Sequence, residues 1–204
     1  MKDWLIRLLA CIGSGCLWFL ACADFDVWPL AWIAMLPCLL AIRGVPPRRA
    51  FWWGWVAGTV ASGGGFYWIT HLLIRFGHLP WLAAFSLFAL MVAYQGLHFG
   101  VMAVVLRWVR DRAPQVPMTL LLPVTMVPLE MAMPFIFPWY LSITQAWVVP
   151  VIQVADLAGP LGVTFLLLVS NGMIYDVVVA RLKGQPWPRR PLVAGGTIIA
   201  LALV

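Results

Sequence analysis

The chain has 204 residues, of which 64% are hydrophobic and only 10% charged. An ordinary soluble domain carries about 25% charged residues, so there are too few polar side chains here to clothe a soluble core, and a soluble globular enzyme is excluded. The net charge of +6 does not point to nucleic acid, because the cations sit in short loops between apolar runs, a placement that in membrane proteins reports orientation.

A helix needs about 20 apolar residues to cross a bilayer. Residues 4–23 supply a first span and 27–43 a second. Lys2, Arg7 and the small-x-small run Ala21-Cys22-Ala23 imitate a cleaved export signal. Asp24-Phe25-Asp26 instead reads as a tight acidic turn between two spans, giving an uncleaved hairpin. After the polar stretch "RGVPPRR", 43–49, a Trp- and Gly-rich third span runs over 50–74 and breaks at "RFGHLP", 75–80. A fourth span covers 81–106, followed by a polar loop at 107–117. Residues 118–133 form a fifth span containing Pro123 and Pro128. Residues 134–160 mix aromatics, prolines and polar groups, and 161–180 make a sixth span. Beyond the loop at 180–190, residues 191–204 are apolar but too short to cross, so they read as an incomplete seventh span. The expected fold is all-α: a polytopic transmembrane helix bundle of six full spans plus a truncated seventh.

Alternation of the spans, with the N-terminus inside, sorts the cations. Lys2, Arg7, Arg43, Arg48, Arg49, Arg107, Arg110, Arg112, Arg181, Lys183, Arg189 and Arg190 fall on one side, and only Arg75 on the other. The positive-inside rule therefore orients the bundle with its N-terminus in the cytoplasm. It leaves 134–160 as the longest excursion on the outer, periplasmic face, with Phe137, Trp139 and Tyr140 suited to the headgroup layer.

The chemistry visible in the residues is limited. Cys11, Cys16, Cys22 and Cys38 form no C-x-x-C pair and have no neighbouring histidine, so they read as small helix residues, and neither a metal site nor a cofactor is expected. His71, His78 and His98 lack carboxylate neighbours in sequence and read as interfacial or packed. Gly54, Gly58 and Ser62, like Gly96 and Gly100, repeat small residues every four positions, which lets helices approach closely. Gly63-Gly64-Gly65 marks a kink or a close contact. Glu130 is the only glutamate, near the outer end of the fifth span; it reads either as an acid solvated at the interface or, being an acid in an apolar run, as a candidate functional residue. Gln145, Gln153 and Asp156 fall on the same side. With Phe137, Trp139 and Tyr140 they would line an outward groove for a lipid headgroup. No nucleophile, base and oxyanion donor come together, so no catalytic residue is assigned.

Four stretches carry a resemblance: "DFDVWPLAWIAMLPCLLAI" (24–42), "GWVAGTVASGGGFYWITHLLIRFG" (54–77), "FPWYLSITQAW" (137–147) and "IQVADLAGPLGVTFLLLVSNG" (152–172). In this order they resemble the N-terminal membrane part of the apolipoprotein N-acyltransferases, over roughly residues 17–182. Two features depart from the pattern: Met133 stands where arginine often follows the glutamate, and the gap from Glu130 to Phe137-Pro138-Trp139 is short. The resemblance implies a protein of the bacterial inner membrane that works on phospholipid and diacylglyceryl-lipoprotein substrates. In the family, a periplasmic nitrilase-like domain with a Glu-Lys-Cys triad moves an acyl chain from phospholipid to the N-terminal amine of the lipoprotein. That domain lies outside these residues, so the chain is expected to be inactive alone and to work with a nitrilase-like domain that is continuous with it or separately encoded. The alternative is a non-enzymatic membrane scaffold or a small transporter. Transport would call for polar groups aligned through the midplane, whereas here they gather at the outer end.

Overall fold

The computed structural model describes residues 2–202. Among the described residues every regular element is helical: α1 (Lys2–Leu20), α2 (Leu36–Ala41), α3 (Pro47–Gly65), α4 (Ile69–Arg75), α5 (Trp81–Arg112), α6 (Met118–Ala132), α7 (Val149–Ile152), α8 (Ala155–Leu182) and α9 (Arg189–Ala202), with 3-10 turns at Trp28–Trp32 and Leu141–Gln145. Three helices, α1, α5 and α8, are long and apolar enough to cross a membrane, and Trp28–Ala41 and α6 are shorter apolar segments. The last two residues of the expected seventh span lie outside the described residues.

Prolines punctuate the chain where the physics of the ring requires. Pro46, Pro80 and Pro117 stand at the N-caps of α3, α5 and α6 with extended backbone, since a proline fixes φ and pushes its predecessor out of helix. The expected second span is not one helix. It is a 3-10 turn, a break at 33–35 and the short helix α2, because Pro37 has no N–H and its ring would meet the carbonyl four residues back. The expected third span is likewise divided, with α3 ending at Gly65 and α4 starting at Ile69. The expected loop at 107–117 begins late, since α5 stays helical to Arg112. There Arg107 pairs with Asp111 one turn on, at 2.6 Å, and Ala113 before Pro114 ends the helix. In α8 a kink at Gly159, with φ of 65°, precedes Pro160.

Helix α3 is sandwiched between α1 and α5. Gly54 and Gly58 put α3 against the backbone and ring of Phe99 and against Ala103 and Gly96, so the two helices run antiparallel at close range. A second pair, α6 with α8, is also antiparallel: Gly172 of α8 packs against the backbone of Met118 and Thr119. The Trp28–Ala41 segment wedges between α1 and α8, and α9 doubles back along α8. The helices therefore alternate in direction, and their cation-bearing ends meet. At that end Arg7 donates to the carbonyls of Ala41 and Arg43, and Arg107 donates to the carbonyl of Val45 at 3.1 Å.

Candidate functional site

The opposite, cation-poor end is built around residues 133–146. Helix α6 stops at Ala132 because Met133, which precedes Pro134, turns extended. The chain then crosses the end of the bundle as an irregular strap. Backbone groups in such a strap need partners, and α5 supplies them. Tyr94 donates its hydroxyl to Pro134 O at 2.7 Å. The Gln95 amide accepts from Ile136 N–H at 3.2 Å and donates to Phe137 O at 2.9 Å. These two side chains, unremarked inside an apolar run, were not among the expected site residues.

Trp139 is the anchor of the strap. Its ring lies 5.0 Å from that of Phe66 and 5.9 Å from that of Trp18, centroid to centroid. A Cβ at position 65 would fall 2.5 Å from Trp139 Cζ2, and one at position 64 would overlap the Phe19 ring. The glycine triplet is therefore a seat for two aromatic side chains.

The seven expected groove residues separate into two groups. Glu130, Trp139 and Gln145 are buried, at 1%, 9% and 0% exposure. Phe137, Gln153 and Asp156 are exposed and Tyr140 is half-buried. The Glu130 carboxyl faces the backbone of Leu141 and the hydroxyl of Thr164, and neither oxygen has a partner in strict hydrogen-bonding geometry among the described residues. Thr164 Oγ1 accepts Ser142 N–H at 3.1 Å, which leaves the hydroxyl proton free to turn toward the carboxyl. Gln145 donates to Trp28 O at 3.1 Å and to Thr144 Oγ1 at 3.0 Å, and its own Oε1 is unpaired. At Glu130 the Leu141 backbone and the Thr164 hydroxyl are donors within reach, whereas the buried Gln145 Oε1 has no donor among the described residues, which costs about 1–3 kcal/mol.

Two apolar cavities flank the strap. One, of about 270 Å³, is lined by Pro138, Tyr140, Ile143, Ile152 and Val163 among others. The other, of about 410 Å³, is lined by Trp68, Leu72, Phe88, Ile136 and Phe137 among others. Both suit hydrocarbon. His71 and His78 are exposed, while His98 is buried against the rings of Phe99 and Phe135.

Asn171, within the 152–172 stretch, is a structural residue. Its Oδ1 accepts Met35 N–H at 2.8 Å, and its Nδ2 donates to Ala31 O at 2.9 Å and to Leu167 O at 2.8 Å. Ser170 adds a bond to Trp32 O at 3.3 Å, and Ser14 donates to Ala34 O. The broken second segment therefore has its freed backbone groups satisfied from α1 and α8, the condition for irregular backbone at membrane depth.

A bundle of apolar alternating helices, with cations at one end and hydrocarbon-lined cavities at the other, defines a helical membrane protein. The Apolipoprotein N-acyltransferase N-terminal domain family matches residues 14–173, and the chain belongs to that family. An apolipoprotein N-acyltransferase of Geobacter metallireducens is 34% identical over 92% of this chain and 36% of its own length. That of Azotobacter vinelandii is 31% identical over 98% of this chain and 38% of its own. The chain thus spans little more than a third of the length of these relatives.

Proposed function

We propose that these residues are the membrane module of an apolipoprotein N-acyltransferase and act in lipoprotein maturation. The module crosses the bacterial inner membrane with its N-terminus in the cytoplasm. Spans at about 4–23, 27–43, 50–74, 81–106, 118–133 and 161–180 carry the crossings, 191–204 begins another, and 134–160 faces the periplasm. The observation that carries this reading is the pair of apolar cavities on either side of the 133–146 strap. In the proposed role each takes one acyl chain, one from the phospholipid donor and one from the diacylglyceryl lipoprotein.

The strap holds the two lipids side by side, and the unpaired oxygens of Glu130 and Gln145 accept hydrogen bonds from an ammonium or amide brought beneath it. Acyl transfer itself belongs to the nitrilase-like domain that the family resemblance implies. Splitting the transfer through a thioester makes two moderate steps out of one difficult one. The test is transfer of an acyl chain to a diacylglyceryl lipopeptide, followed by mass spectrometry. These 204 residues alone are expected to give no product, and to give product once combined with a nitrilase-like domain. Turnover by the chain alone would overturn the division of labour.

A further inference from the structure

The cation-rich end contains a second built feature that the acyl-transfer reading does not use. Arg43, after α2, Arg107 and Arg110, on α5, and Lys183, after α8, converge on one cavity of about 250 Å³. Its floor is apolar, formed by residues such as Leu106 and Val179. Orientation of a membrane protein requires only that cations lie on one side. It does not require cations from three separate segments to line the same hollow.

Two other arginines at this end are engaged elsewhere. The Arg112 guanidinium stacks 3.8 Å from the Trp108 ring centroid, and that of Arg181 lies 4.7 Å from Trp187. The acids nearby do not neutralise the cavity. Among the described residues Asp111 pairs with Arg107 alone. Asp176 is committed to the first turn of α6, accepting Met118 N–H and Thr119 N–H at 3.0 Å each and the Thr119 hydroxyl at 2.8 Å. Arg107 also donates to Val45 O at 3.1 Å and Arg110 to Val116 O, whereas the Arg43 and Lys183 side chains donate no hydrogen bond among the described residues. Four positive charges around a partly apolar lining therefore stand against two carboxylates, Asp111 and Asp176.

We infer that this cavity binds a phosphate-bearing anionic group. Lysine and arginine near an interface attract anionic headgroups, and basic pockets between transmembrane helices hold such headgroups. Arginine forks match phosphate oxygens two at a time. The two available sources are an anionic phospholipid, whose chains would lie on the apolar floor, and a soluble phosphate.

The experiment places the purified chain in nanodiscs of phosphatidylcholine with and without phosphatidylglycerol. It reads thermal stability and the lipid retained in native mass spectrometry, with inorganic phosphate added to the phosphatidylcholine sample as a separate arm. Phosphatidylglycerol is expected to be retained and stabilising. The Arg43→Gln/Arg110→Gln pair is expected to weaken its retention roughly tenfold, Lys183→Gln less so, and Arg110→Lys to keep most of it. The control pair Arg48→Gln/Arg49→Gln, at the same end but outside the cavity, is expected to retain lipid like the parent. Stabilisation by phosphate alone assigns the cavity to a soluble anion rather than a lipid. No preference for either anion, or equal losses in the site and control pairs, would overturn the site. The Lys183→Gln arm keeps the test decisive if the double variant does not fold, because Lys183 is exposed.

Discussion

Asn171 and Met35 stand 136 residues apart in sequence, yet the Asn171 Oδ1 accepts the Met35 backbone N–H at 2.8 Å. That bond, with the Nδ2 donation to Ala31 O at 2.9 Å, stitches the break in the Trp28–Ala41 segment. Asn171→Leu keeps the size and removes both partners, leaving a buried N–H and a buried C=O unmet. A loss of about 2–4 kcal/mol is expected, measured by thermal or steric-trap unfolding in detergent. A loss under about 0.5 kcal/mol would show that the break is held by other means.

The glycine triplet makes a graded prediction. Gly65→Ala drives a methyl to 2.5 Å from the Trp139 ring and is expected to cost about 1–3 kcal/mol. Trp139→Leu in the same chain should recover part of that cost, because the smaller side chain gives the methyl room. At position 63 the nearest atom to a Cβ is Val92 Cγ1 at 3.7 Å, and at 196 nothing lies within 4 Å. Gly63→Ala and Gly196→Ala should therefore leave the melting temperature unchanged or raise it, since alanine favours helix. Equal effects at all three positions would contradict the seat.

Glu130 is expected to behave as a binding residue and not as a stabilising one. Its carboxyl is 1% exposed with neither oxygen bonded, so Glu130→Gln removes a buried charge site without opening a cavity. Stability should hold or rise, while binding of a diacylglyceryl lipopeptide to the chain should weaken about three- to tenfold. A fall in melting temperature with binding intact would reverse the assignment.

Orientation is checked by single added cysteines and an impermeant thiol reagent on intact cells and inverted vesicles. A cysteine at Phe137 is expected to react from the periplasmic side and one at Lys183 from the cytoplasmic side. The opposite pattern, or labelling of both from one side, would invert the topology or change the count of crossings.

Much of the fold was legible because the signals were local. Apolar runs and the acidic turn at Asp24 and Asp26 each act within a few residues, and the alternation of cations is a property of the chain as a whole. The four-residue spacing of Gly54, Gly58 and Ser62 likewise announced close helix packing. What was not legible depends on partners distant in sequence. The seat at Gly65 is explained only by Trp139, and the break near Met35 only by Asn171. The apolar composition of 27–43 read as one continuous span, although Pro37 carried the hint of interruption. Arg107 to Arg112 read as loop because of charge, whereas the Arg107–Asp111 pair at 2.6 Å suits a helix turn. At the candidate site, the role of Tyr94 and Gln95 has no sequence signal, because a polar pair within a long apolar helix gives no sign of what it holds. Glu130 and Gln145 stood out as polar residues in apolar surroundings, but their neighbours are distant in sequence: Thr164 faces Glu130, and Trp28 O accepts from Gln145.

The most direct test of the lipid-presenting role is photocrosslinking with a phospholipid that carries a diazirine in its acyl chain, using the chain in nanodiscs. Adducts are expected to concentrate on the two sides of the strap, at Ile136 and Phe137 and at Ile143 and Ile152, which line the two apolar cavities. A diacylglyceryl lipopeptide should compete them away. Labelling spread evenly over exposed helix faces such as Leu90 and Val193, unaffected by the lipopeptide, would contradict the account.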